Sequence, residues 1–195
     1  PLYGTVGDDK LTGLNYAGFL QLDKKFFDKL NVSVGARVEH NEITSTKAET
    51  KPVFRAGVNY QAAEYTYIRA SFGQGFRFPT IAEKFISTSL GTAAAIVPNN
   101  DLKSETGMSA ELGFKQGIKI GKFNAFVDIA GFFTRYNDMM EFNPNSDVVE
   151  PPFVVAFQSQ NVGNTQIIGV ETSIQGEGKI ANKFPTTLML GYTYL

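Results

Sequence analysis

At 195 residues, with 18 basic and 19 acidic residues and a formal net charge of -1, the chain has no charge excess of the kind that tracks nucleic-acid phosphates. It contains no cysteine, which excludes disulfides and thiolate metal sites. Mean hydropathy is -0.12, and no apolar run reaches the roughly 18 residues of a spanning helix. That criterion is blind to β-barrels, whose strands are only half apolar.

In chain order, the dominant period is two. From Leu30 to Glu39, Val32, Val34, Ala36 and Val38 point one way, and Ser33, Gly35, Arg37 and Glu39 the other. A one-residue slip would put Arg37 and Glu39 on the apolar face, so the register is strongly specified. Phe54, Ala56, Val58 and Tyr60 alternate with Arg55, Gly57, Asn59 and Gln61. Met108, Ala110, Leu112 and Phe114 alternate with Ser109, Glu111, Gly113 and Lys115, and Ile168, Val170, Thr172 and Ile174 with Gly169, Glu171, Ser173 and Gln175. The pattern predicts eight strands, roughly 15–27, 30–43, 52–62, 64–77, 105–117, 121–137, 160–175 and 184–195, with 153–159 as a candidate extension of the seventh.

Tight connections near Asp28–Lys29, at Ala63 and at Ile118–Ile120 alternate with long polar ones at 44–51, 78–104 and 138–159, while the join at 176–183 is intermediate. All the long loops therefore emerge at one end, the asymmetry of an up-and-down outer-membrane barrel. The strands are longer than the usual five or so residues and match the roughly 9–11 needed to cross hydrocarbon at a tilt. Aromatics gather towards strand ends, namely Phe26, Phe27, Tyr60, Tyr65, Tyr67, Phe76, Phe78, Phe123 and Tyr136, where interfacial girdles lie. The expected fold is all-β: an antiparallel up-and-down transmembrane barrel. Two alternatives share the alternation: a small self-closed eight-stranded outer-membrane protein of structural or adhesive role, and a soluble β-sandwich binding module.

The stretch "RASFGQGFRFPTIAEKF" (69–85) resembles the signature of the TonB-dependent outer-membrane receptors, in which a barrel strand runs into a Gly-Phe-Arg-x-Pro-Thr turn. "NDLKSETGMSAELGFKQG", "FFTRYNDMMEF", "NVGNTQIIGVETSI" and "LMLGYTYL" resemble later strands of that family in the same order, and "AGFLQLDKKFFDKLNVSVGARVE" an earlier hairpin. The resemblance implies eight strands of a 22-stranded barrel around an N-terminal plug. It makes 1–195 a partial barrel domain, without the plug or the closing strands. It also implies TonB-dependent uptake of a scarce ligand (siderophore, haem, cobalamin or oligosaccharide) across a Gram-negative outer membrane. Implied partners are outer-membrane lipid, TonB acting through an N-terminal region, the protein's own plug, the small-molecule or oligosaccharide ligand and a surface lipoprotein. No nucleic acid and no cofactor are implied.

Parity places Arg37, Glu39, Arg55, Arg69, Glu111, Asp128 and Glu171 on the lumen side. By the resemblance Glu111 occupies the position of a carboxylate that pairs with plug arginines; the alternative for each lumen charge taken alone is that it merely solvates the channel. Arg77 and Glu83 are rim and ligand candidates; Arg77 is equally suited to a structural ion pair with Glu83 or Glu105. Gly73 and Gly75 read as relief of crowding or a bulge where the strand leaves the wall. Pro79, with no N–H, ends ladder pairing. His40, the only histidine, makes neither a triad nor a zinc site alone, and Met139–Met140 with Asp138 and Glu141 is a poor soft-metal set because adjacent strand residues face opposite ways. The loops Ala93–Leu102 and Asn143–Pro152 are where specificity is expected. No nucleophile–base spacing, phosphate loop or metal cluster supports an enzyme.

Overall fold

The computed structural model describes residues 11–44, 46–91, 93–151, 153, 155–180 and 183–195. In chain order the elements are β1 (Gly13–Phe26), β2 (Leu30–Ile43), β3 (Glu49–Ala63), β4 (Thr66–Arg77), α1 (Ile81–Phe85), β5 (Thr88–Leu90), β6 (Ala94–Ile96), β7 (Glu105–Ile120), β8 (Lys122–Asn137), β9 (Met140–Pro144), β10 (Val155–Asn161), β11 (Thr165–Ile180) and β12 (Phe184–Tyr194). Eight of the strands form one antiparallel sheet in the order β1-β2-β3-β4-β7-β8-β11-β12, a simple meander. The remaining four form a second sheet, β5-β6-β10-β9.

The eight-stranded sheet is a wall without a core. Its apolar face carries Leu20, Leu112 and Ile168 at 66, 64 and 65% exposure, and among the described residues no second layer covers it. A soluble sandwich would bury that face against another sheet. Among the described residues the sheet does not close on itself either, because β1 and β12 are its opposite edges and do not pair with each other.

At one end the connections are tight. The β1–β2 turn places Phe27 and Asp28 in the left-handed region (φ 49° and 54°) and closes with Lys29 N donating to Phe26 O at 3.1 Å, the twist a hairpin requires. Gly121 (φ 61°) alone separates β7 from β8. The join after β11, expected to be intermediate, is tight as well: β11 runs to Ile180 and Lys183 N donates to Ile180 O. Every longer connection lies at the opposite end.

The β3–β4 ladder stops at the pair Arg55–Gly73, although both strands continue. The reason is Pro52. Phe54 N–H points towards β4 and is accepted by the side-chain Oε1 of Gln74 at 3.1 Å. Two residues earlier on the same edge, Pro52 has no N–H to offer. The upper part of β3 therefore stays with β2, and the upper part of β4 with β7. Gly73 and Gly75 lie in regular pairing with Ser109 and Gly107. A Cβ added at Gly73 would meet nothing nearer than Ser109 Oγ at 4.0 Å, and one at Gly75 nothing within 4 Å, so neither crowding nor a bulge explains these glycines.

The long loops are folded rather than irregular. β6 pairs in parallel with β10, which belongs to the other long connection, and β10 pairs antiparallel with β9. β10, Val155–Asn161, is thus a strand of the second sheet, so the expected extension of the seventh wall strand over 153–159 is not formed. This cap holds most of the buried apolar residues: Ala95, and Ala156 and Leu102, each of the latter two at 1% exposure. Its polar interior is paired: Gln158 donates to Pro98 O and accepts from Asn145 Nδ2, and Asn99 Nδ2 donates to Ser159 O. Pro152, Val154, Ala181 and Asn182, within loops discussed above, lie outside the described residues.

Candidate functional site

The polar face of the wall gathers its charges by register. Arg69 on β4 is paired with Gly113 on β7, and Lys115, two residues on, with Asp128 on β8. A Cβ at Gly113 would lie 2.6 Å from Arg69 Cζ. The absent side chain lets the guanidinium lie flat across β7. From there Arg69 Nε donates to Glu111 Oε1 at 2.9 Å and Nη1 to Asp128 Oδ2 at 2.7 Å. One arginine thus joins three strands and two carboxylates; Glu111 Oε2 has no hydrogen bond among the described residues. Lys115, across from Asp128, lies instead over the Phe126 ring at 4.6 Å.

Nearer β1, Arg37 donates to Glu39 at 2.9 and 2.6 Å, and Asn15 Nδ2 donates to the other Glu39 oxygen at 2.8 Å. Arg55 donates to Gln21, whose amide donates to Asp23. Glu171 shares the face through its pairing with Ala130, but its carboxylate makes no hydrogen bond among the described residues. Sequence parity located the charges; it missed Gln21 and Asn15, which only the β1–β2 register and the reach of Arg55 bring into the network.

At the rim, Arg77 Nη1 meets Glu83 Oε1 at 2.6 Å and Nη2 meets Glu105 Oε2 at 3.6 Å. Glu83 also closes a capping box on α1: Thr80 N and Oγ1 donate to its Oε2, and Thr80 Oγ1 accepts from Glu83 N. Burial pushes the Glu83 carboxyl up, but the Thr80 N–H, the Arg77 guanidinium and the Thr80 hydroxyl outweigh it and hold it below the ordinary carboxylate value. Glu105 Oε2 in turn accepts from Met140 N at 3.3 Å. Arg77 and Glu83 therefore lie in a knot that ties the exit of β4, α1, the entry of β7 and the start of β9.

His40 stands on the apolar face, stacked on Tyr16 at 4.9 Å, with Nδ1 2.8 Å from Thr50 Oγ1. Among the described residues no three His, Cys, Asp or Glu side chains gather as a metal site. Of the girdle aromatics, Phe26, Tyr60, Phe76 and Phe123 share the apolar face, whereas Tyr67 and Tyr136 lie on the polar face with Arg69 and Asp128.

The sequence profile of the family described as "TonB dependent receptor-like, beta-barrel" matches residues 1–195. The chain belongs to the TonB-dependent receptor β-barrel family. It is 26% identical over 124 residues to a probable hemoglobin and hemoglobin-haptoglobin-binding protein 3 of Haemophilus influenzae, covering 60% of this chain and 11% of the relative. Its fold is similar to that of the hemophore receptor HasR of Serratia marcescens, solved with its hemophore HasA and heme, at 15% identity and TM-score 0.70, over 83% of this chain and 31% of that one. It is likewise similar to the FrpB iron transporter of Neisseria meningitidis, at 16% identity and TM-score 0.62, over 96% and 26%. The chain thus spans about a tenth of the length of the curated relative it matches. In a barrel of this family the apolar face is the lipid face and the charged face lines the lumen.

Proposed function

We propose that this wall is part of an outer-membrane receptor of a Gram-negative bacterium that takes up a scarce ligand with energy supplied through TonB. The observation that carries the reading is the two-faced sheet: apolar side chains outside, paired charges inside, and all long loops at one end. That arrangement has one solvent it fits on each face. Residues 1–195 are read as a partial barrel domain, with plug and closing strands elsewhere in the protein. In the Arg69 cluster one positive charge faces two carboxylates, and Glu111 keeps a free oxygen towards the lumen. Glu111 is therefore the position we assign to contact with a basic plug residue.

The folded cap, built from both long loops, is the surface that meets ligand. Phe142 stacks on Phe157 at 5.7 Å there and is 52% exposed. A haem-bearing ligand is favoured by the hemoglobin-binding relative. The test is growth of a strain lacking the full-length gene, with haem, hemoglobin or a siderophore as sole iron source, with and without TonB. Loss of growth on haem sources that requires TonB supports the reading. Unchanged growth on every source, or TonB-independent growth, overturns it.

A further inference from the structure

All five arginines of the chain sit in or at the ends of the wall strands, and four share the lumen face. Each of those four has a partner: Glu39 for Arg37, Gln21 for Arg55, Glu111 and Asp128 for Arg69, Glu83 and Glu105 for Arg77. Arg135 is the exception to the lumen face, and like Arg55 it meets a side-chain amide rather than a carboxylate. On β8, Asp128 reaches Arg69 in the lumen, so the odd positions Ile129, Phe133 and Arg135 face outwards. Its Nε donates to Asn137 Oδ1 at 2.9 Å. Among the described residues Arg135 has no carboxylate partner, and its two Nη nitrogens have no hydrogen bond.

Its height is defined by the strand. Phe123 to Phe133 is the apolar outward run of β8. At about 3.3 Å per residue and a tilt of about 40°, that run rises about 25 Å, the height of the apolar band of such barrels. Arg135 follows immediately. Its cross-strand neighbours are Met108 on β7 and Gln166 on β11, and one pair further up stand Thr106 and Asn137. On β7, β8 and β11 the outward surface thus turns from apolar to polar at Arg135, at the long-loop end. A guanidinium there lies at headgroup level, where a phosphate is the anion that lipid supplies, and its planar donors suit phosphate bidentately.

We infer that Arg135 is a binding site for a phosphate of an outer-leaflet lipid headgroup, with Asn137 orienting the guanidinium. The inference rests on the outer-membrane reading above. The test uses the full-length receptor, purified in detergent and examined by native mass spectrometry with diphosphorylated lipid A, its dephosphorylated form, and inorganic phosphate at matched phosphate concentration. Expected is preferential retention of the phosphorylated lipid, lowered about fivefold in Arg135→Gln and only partly restored in Arg135→Lys, which keeps the charge but not the planar fork, with inorganic phosphate failing to displace it. Equal retention in Arg135→Gln, or no preference for the phosphorylated form, overturns the site. Displacement by inorganic phosphate also overturns it, because the anion need not then come from lipid. Heat-modifiable gel migration of each variant separates these outcomes from misfolding. A wild-type protein that shows no barrel-like migration would overturn the outer-membrane reading itself.

Discussion

The wall and the cap are two sheets of one chain built on opposite principles. The wall has long strands, antiparallel pairing throughout and almost no buried side chain; Ala130 and Ile43 are its exceptions. The cap has strands of three to seven residues, a parallel pairing between distant loops, and a small protein-like interior around Leu102, Ala95 and Ala156. The wall takes its hydrophobic stabilisation from lipid, which lies outside it, so its residues need only alternate. The cap stands in water and must bury its own apolar groups and pair its own polar ones. Asn161 shows the second rule: its side chain donates to Lys103 O and Asp138 O and accepts from Lys103 N, joining both loops to the wall.

A change in one sheet should leave the other intact, and the largest effect belongs to the wall. Leu112→Arg places a charge on the lipid face and should cost about 2–4 kcal/mol if mid-membrane, read by urea unfolding of the full-length receptor in lipid vesicles. A neutral result would remove Leu112 from the hydrocarbon. The cap is next. Asn161→Ala removes three hydrogen bonds, each worth about 1 kcal/mol net. Amide exchange should speed up in 140–144 and 155–161 while β7 and β8 keep their protection; loss of protection in both sheets would mean that cap and wall fold as one unit.

The smallest effect joins the two at the rim. Because the folded-state value of Glu83 is depressed, its contribution is present above the ordinary value of 4.5 and is lost as pH falls through the lower folded value. Exchange in 79–85 should therefore accelerate below about pH 4.5 in the wild type and be flatter with pH in Glu83→Gln. An identical pH profile in the two proteins would show that Glu83 does not carry the rim's acid sensitivity.

Much of the wall was legible in the chain. Side-chain alternation is a local property of a strand, so period two separated Glu111 and Arg69 from Leu112 and Ile68 without knowledge of any neighbour. The same local patterns, with the Gly-Phe-Arg-x-Pro-Thr turn, pointed to the family. The chain also offered Glu83 and Glu105 as partners for Arg77, since both carboxylates lie near it in sequence or at the facing strand end. The cap was not legible. β6 and β10 are about 60 residues apart and pair in parallel, and a three-residue strand carries too little pattern to announce a partner at that distance.

What the sequence alone determined is thus the face of each wall residue and the end at which the loops emerge, because both follow from strand period and connection length. What only the tertiary structure decided is who meets whom across strands. Arg69 reaches Asp128 because β4, β7 and β8 lie side by side in one register and Gly113 leaves the path open. Pro52 splits the β3–β4 ladder because its missing N–H falls on the β4 edge. Arg135 lies at the boundary of the apolar band because the pairing of β8 with β7 and β11 puts Met108 and Gln166 beside it. Register is a relation between segments, and no single segment contains it.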